Sequence, residues 1–497
     1  MPQSALLRTA PAPRHAPLPA PWTTPPRALG TIFRHELRRT AASGRFLTAA
    51  SLLIAVMAFA AAGGGARYHN GRLAQQAIAR DHASQLSNAT VDSIAGTPHP
   101  AMKAPWRLSW VADGGQSTTP DLCEQALSAL VAPRLGRSTQ GNPRLSPAQP
   151  LDWMFVLRVL LPLLAFLLGH DGVCGGRRTG SLKLLLSYPV PRWQVLAGKI
   201  LALWTCLAAP LLAGAALSLG LAWTVGGIPF VPADLGRAFL VLLLGLWAAL
   251  FFVLAALLVS TLSSDSSISL SVLTWLWVTG LIVAPAVGGL LARHLQPVPS
   301  SQEIQRRLDA VDQQVSREYA DQEGHWRPAK WAAADGYAWE KVSAAAENLR
   351  GSRREAIRRG VLLRKIEQAR TAELLAALSP ISLTNLLGEQ LAGTGRERDE
   401  SFLRQAWRFR DLLGERVKAL DGEDPASPHV LFFPGYLSQR KLPAAAAAGL
   451  TRFRFHETSI RGGLASARGG LALLVLETLA LAAGAFFSFS RQPAGDR

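Results

Sequence analysis

At 497 residues, with 49% hydrophobic and 17% charged side chains, the chain is too apolar for an ordinary soluble protein of its size, in which about 25% are charged. Its mean hydropathy of +0.17 points the same way. The formal charge of +18, from 52 Lys and Arg against 34 Asp and Glu, would suit a nucleic-acid binder by sign alone, but in a membrane protein excess Lys and Arg also set topology. The positions of the charges decide.

The opening stretch "PAPRHAPLPAPWTTPPR" reads as a disordered tail, and 1–45 as that tail followed by a basic helix. Six runs approach or exceed the roughly 20 apolar residues that cross a ~30 Å hydrocarbon core: 46–64, 153–170, 196–224, 237–262, 268–291 and 467–489. The first, "FLTAASLLIAVMAFAAAGGG", ends in small residues like a signal-peptide core. The 45 residues before it are far longer than a signal's charged region, so it is read as an uncleaved anchor.

Short polar segments orient the spans. Arg34, Arg38, Arg39 and Arg45 precede span 1, and Arg177, Arg178, Lys183 and Arg192 lie between spans 2 and 3, which places both segments on the cytoplasmic side. "VGGIPFVPADLG" carries only Asp234 and fits the outside. The expected fold is an α-helical integral membrane protein with six transmembrane helices, both termini cytoplasmic (the last at 490–497), and two extracytoplasmic insertions at 65–152 and 292–466. Arg452, Arg454, Arg461 and Arg468 precede span 6 on the outer side, where long translocated segments are largely exempt from the charge bias.

The first insertion, with Gly, Pro and Ser scattered through it, predicts no firm secondary structure. The second is mainly helical: Ile357, Val361, Leu362, Ile366, Leu374 and Leu375 recur at helical spacing, Ser379-Pro380 supplies a stop, and a further helix runs from about Arg398 to Leu420 after the turn "AGTG". Arg353, Arg354, Arg358, Arg359, Arg364 and Lys365 form a basic helix face, read as solvated rather than as a nucleic-acid site. In "PASPHVLFFPGYLSQRKLP", Phe432, Phe433 and Tyr436 either lie against the membrane or pack on the domain. Cys123, Cys174 and Cys206 fall in three different settings, so no intrachain disulfide is expected.

No catalytic residues and no metal ligands are expected: His-Glu-x-x-His, Cys-x-x-Cys and Gly-x-Ser-x-Gly are all absent. Two ionisable residues lie within spans. Arg158 in span 2 either snorkels beside Trp153 or faces protein; Glu477 is deep in span 6, where an interhelical pair, a protonated acid and a place on a translocation path all stay open. A pairing of Arg158 with Glu477 is one expectation.

Residues 171–195 form a cytoplasmic segment, "DGVCGGRRTGSLKLLLSYPVPRWQV". It superficially suggests a phosphate loop, but Ser181 stands where Gly-x-x-x-x-Gly-Lys-Ser/Thr requires lysine, Lys183 is displaced, and a membrane span precedes it instead of a strand. With His170-Asp171, Gly175, Arg177, Gly180-Ser181-Leu182, Pro189, Arg192 and Gly198-Lys199, the segment resembles the connection after the second span of ABC-2 type permeases, the membrane subunits of ATP-driven exporters. That connection usually reads Gly-Glu-Arg-Glu-x-Gly-Thr-Leu; here Gly176 and Arg178 replace the acids. The stretch 378–413 is similar to the branch with a large domain between spans 5 and 6, except that Gly395 stands where Asp often follows Ala-Gly-Thr.

The resemblance implies a permease subunit in a bacterial cytoplasmic membrane, not itself an enzyme. Its partners would be a second permease chain, membrane lipids and separate cytoplasmic ATPases that bind ATP and Mg; this chain would bind no cofactor. Asp171, Gly175, Arg177, Arg178, Gly180, Leu182, Lys183, Pro189 and Arg192 would form the segment gripped by the ATPase, with Pro189 ending a short helix. A membrane-anchored sensor or scaffold, and a proton-coupled transporter using Glu477, are the alternatives. The cargo is not legible.

Overall fold

The computed structural model describes residues 28–128, 131–139, 151–188, 190–319 and 337–492. Most of the expected N-terminal tail, the end of the C-terminal tail and Pro189 lie outside them. Among the described residues, six helices are long and apolar enough to cross a membrane: span 1 Gly44–Gln85, span 2 Trp153–Arg178, span 3 Arg192–Thr224, span 4 Pro232–Leu262, span 5 Ser266–Leu295 and span 6 Ile460–Ser490. The fold is an α-helical membrane protein, as composition requires. Its core runs through spans 1 to 4, with Leu53, Met57, Leu161, Leu196, Leu207, Phe252 and Leu257 almost wholly inaccessible.

Span 1 is much longer than its apolar run. It has 42 residues, about 63 Å at 1.5 Å per residue, so it carries the chain well beyond the bundle. The glycines that read as its end lie inside the helix, where they allow close packing. A Cβ on Gly65 would stand 2.7 Å from Gly226 Cα, and Gly64 faces Trp110.

The first insertion is more ordered than its composition predicts. It contains the end of span 1, a short helix Val91–Gly96, and an antiparallel sheet of β1 (His99–Met102), β2 (Leu122–Gln125) and β3 (Arg134–Gly136), in the order β1-β2-β3. These strands are too short for alternation to stand out, and their inner faces are covered by the second insertion: Ala101 and Cys123 pack with Phe402 and Ala406.

Ahead of span 1 lies α1 (Ala28–Ala41), packed along span 3. The second insertion supplies α2 (Ser301–Tyr319), α3 (Ala338–Ala376), α4 (Pro380–Ala392) and α5 (Arg396–Gly422). The Pro380 boundary and the glycine turn agree with the expectation: Gly393 and Gly395 have φ of +72° and +74°, which only glycine adopts freely. The basic face of α3 is partly paired, Arg353 with Glu318, Arg354 with Asp312 and Arg359 with Glu355. Phe432 packs against the insertion's own core. The three cysteines are free and buried.

Within 292–466, α4 packs among spans 2, 4, 5 and 6. Its apolar face, Ile381, Leu383, Leu387 and Leu391, is buried, and small residues bring it close: Gly388 meets Met154, and Gly470 of span 6 meets Leu383 and Leu387. Spans 2 and 5 each contain a π-helical stretch where α4 packs, Val156–Leu160 and Thr279–Val283. The Ser379 hydroxyl donates to the Gly280 carbonyl at 3.1 Å. At 13 residues, α4 is too short to cross a ~30 Å core, which is why hydropathy passes over it.

Candidate functional site

Two short helices, Cys174–Arg178 at the end of span 2 and Ser181–Ser187 after it, form an elbow leading towards span 3. Gly180 joins them in the left-handed region at φ +74°, where a side chain would be strained. Leu182 turns inward and is buried over Gly176. Leu184 and Tyr188 are exposed, as is Trp193 at the start of span 3.

The basic residues of the elbow do not form one surface. Arg177 donates to the carbonyls of Ser260 (3.2 Å) and Thr261 (2.6 Å) in the last turn of span 4. A helix C-terminus leaves carbonyls unsatisfied and carries partial negative charge, so a guanidinium there is both cap and counter-charge. In return the Ser260 hydroxyl accepts from the Val173 and Cys174 amides at 3.0 and 3.2 Å. Arg192 does for span 6 what Arg177 does for span 4: its Nη1 donates to the Ser490 and Gln492 carbonyls, both at 2.6 Å. Arg178 stands 3.7 Å from Asp265, the N-cap of span 5, and Asp171 stands 3.7 Å from Arg45 of span 1. Gly175 packs on the Asp171 side chain, and Lys183 is exposed. Pro189 lies outside the described residues.

The Gly198-Lys199 pair has a local explanation. A Cβ on Gly198 would be 2.8 Å from Ile32 Cγ2, so glycine lets α1 lie against span 3. The buried Lys199 ammonium then reaches Glu36 of α1 at 2.5 Å.

Arg158 and Glu477 do not pair. Arg158 lies in the π-helical stretch of span 2 with Asp152 and Glu389 as acidic neighbours. Glu477 makes no ion pair among the described residues; its Oε2 is buried without a hydrogen-bond partner, and the adjacent Thr478 accepts from Trp247 Nε1 at 3.0 Å.

The opposite end of the bundle holds a buried network that no motif announced. Arg398 is 1% exposed and grips Glu457 through two nitrogens, Nε at 2.9 Å and Nη2 at 2.5 Å. Its Cζ lies 4.8 Å from the Trp106 ring centroid, and Arg237 of span 4 lies 5.3 Å from the same ring. Arg237 also donates to the Ala392 and Thr458 carbonyls, while Lys103 pairs with Asp399. Burial holds the Lys103 ammonium below the usual lysine range, with Asp399 opposing the shift. The chain from span 4 is thereby fastened to both insertions.

A family model described as "ABC-2 family transporter protein" matches residues 30–493, nearly the whole chain and all six spans. The chain belongs to the ABC-2 transporter family. Two relatives of this family member both bear the name "Probable ABC transporter permease protein NosY". That of Pseudomonas aeruginosa is 42% identical over 55 residues, 11% of this chain and 20% of the relative. That of Stutzerimonas stutzeri is 43% identical over 65 residues, 12% of this chain and 24% of the relative. The matched regions span about a quarter or less of those proteins. The elbow joins the second and third of the six spans within the matched region.

Proposed function

We propose that this protein is the permease subunit of an ABC-2 exporter, worked by a separate ATPase that docks on the elbow at 171–195. The observation that supports this most directly is the pair of arginine caps. Arg177 and Arg192 tie the elbow to the ends of spans 4 and 6, and the elbow itself continues into spans 2 and 3. A push on this element reaches four spans.

Under this reading the elbow faces the cytoplasm of a bacterial inner membrane, both termini lie on that side, and two permease chains stand over two ATPases that hold ATP and Mg. The gripping surface is apolar, formed by Leu184, Tyr188 and Trp193, with Arg178 and Lys183 at its edge. Arg177 serves the permease's own packing. An apolar grip also accommodates Gly176 and Arg178 in place of the family's acids.

The experiment is co-purification of the co-expressed ATPase with the tagged chain. Leu184→Asp combined with Tyr188→Asp should lower recovered ATPase at least tenfold while membrane insertion and yield stay unchanged. Undiminished recovery would remove the docking surface from the elbow.

A further inference from the structure

Between α3 and α5, at the end of the bundle that carries the insertions, lies a cavity of about 460 Å³, within the size range of small-molecule sites. Its lining is mixed: Leu135, Leu362, Ile366 and Leu403 are apolar, and Glu389 of the inserted helix α4 also lines it.

Several charges line the cavity. Asp399 takes the Lys103 ammonium, and Arg396 stands 3.1 Å from Glu373 and 3.6 Å from Glu400 with its Nε and Nη1 buried and not hydrogen-bonded; the exposed Lys365 also belongs to the lining. Glu389 differs. Its Oε1 accepts from Asn385 Nδ2 at 2.8 Å, and it makes no ion pair among the described residues. Space is kept in front of its Oε2 by Gly395, where a Cβ would stand 2.9 Å from that oxygen. Gly395 has a φ of +74°, which residues with a side chain rarely adopt.

We infer that this cavity binds an amphipathic organic cation, with the ammonium on Glu389 and the apolar body along Leu362, Ile366 and Leu403. An anion is disfavoured beside Glu389, because Glu373 and Asp152 act on the same carboxyl, while Arg158 of span 2 is the opposing charge. Arg396, between Glu373 and Glu400, lies on the α5 side. Burial raises the Glu389 carboxyl to about 7, so cation and proton compete for it near neutral pH. The claim concerns binding alone and does not depend on whether the ligand is exported. A failed ATPase pull-down leaves it standing, and its own failure leaves the transport reading intact.

The test uses the full-length chain in lipid nanodiscs with tritiated tryptamine. Competitors are 2-phenylethylamine and octylamine, with indole-3-acetate as the anion of matching body. Tryptamine should bind saturably and be displaced by the amines but not by indole-3-acetate. Glu389→Gln should weaken binding at least tenfold, and the exposed-site control Glu423→Gln should not. Wild-type Kd should rise by up to about tenfold per pH unit below 7, the limit for competition with one proton, and be flat in Glu389→Gln. Leu362→Trp, which fills space along the apolar lining, should abolish binding and decides the matter if Glu389→Gln fails to fold. Absence of saturable tryptamine binding, equal displacement by indole-3-acetate, or unchanged affinity in Glu389→Gln would overturn the inference.

Discussion

Arg398 lies over the indole of Trp106 with 4.8 Å between its Cζ and the ring centroid, and at 1% exposure it is among the most deeply buried large side chains of the protein. Trp106 belongs to the first insertion, Arg398 to the second, and Arg237, 5.3 Å from the same ring, to span 4. Three parts of the chain far apart in sequence meet on one aromatic side chain.

Removing that seat should be costly. Trp106→Ala is expected to destabilise by about 3–5 kcal/mol, the usual cost of deleting a large buried aromatic. Arg398→Ala should cost a similar amount, because Glu457 loses its partner in a partly buried setting. Thermal unfolding of the solubilised protein reads both. Arg398→Lys should not restore stability, since an ammonium cannot make the two-pronged grip on Glu457.

The two adjacent arginines of the elbow should separate cleanly. Arg177→Ala removes a cap on span 4 and should lower stability by about 1–2 kcal/mol. Arg178→Ala loses only an exposed 3.7 Å pair with Asp265 and should cost less than about 1 kcal/mol. Equal unfolding temperatures for the two variants would contradict the assignment of roles.

Gly65→Ala is expected to destabilise, against the sign of helix propensity, which favours alanine by about 1 kcal/mol. The new methyl would meet Gly226 Cα at 2.7 Å, and backbone cannot move aside as a side-chain tip can. Gly469, whose added Cβ would meet nothing within 4 Å, is the control: Gly469→Ala should be neutral or stabilising.

Acid should weaken the first insertion through His99. Its ring is wholly buried, with Nε2 2.7 Å from the Ile94 carbonyl and Nδ1 2.9 Å from His82 Nε2. Burial lowers its pKa to about 4 from 6.5, opposed by the Ile94 hydrogen bond. The folded state therefore holds a neutral imidazole where the unfolded chain would take a proton. Stability falls as pH drops from about 6.5 to about 4, by on the order of 3 kcal/mol. Unfolding temperatures at pH 7, 5.5 and 4.5 should show the decline, and His99→Asn should flatten it.

The membrane class and the six spans were legible in the chain itself. Apolar length is a local property, and a bilayer reads it without reference to the rest of the fold. The turn between spans 2 and 3 was legible too, from its glycines and basic cluster, and so was the break at Ser379-Pro380, which the sequence reads as the stop of one helix and which also opens α4. Its destination was not. A 13-residue helix with one apolar face looks the same whether it covers a domain or enters a bundle, and Gly388, Gly463 and Gly470 acquire meaning only when α4 lies against Met154 and span 6. The roles of charged residues were likewise decided by tertiary structure. Arg177 and Arg178 are neighbours of the same type, yet one caps a helix and the other faces solvent; Arg158 was matched with Glu477 by depth alone and stands instead by Asp152 and Glu389. Hydrophobic burial is written into composition along the chain, whereas a charge takes its function from the few ångströms around it, which are set by segments hundreds of residues away.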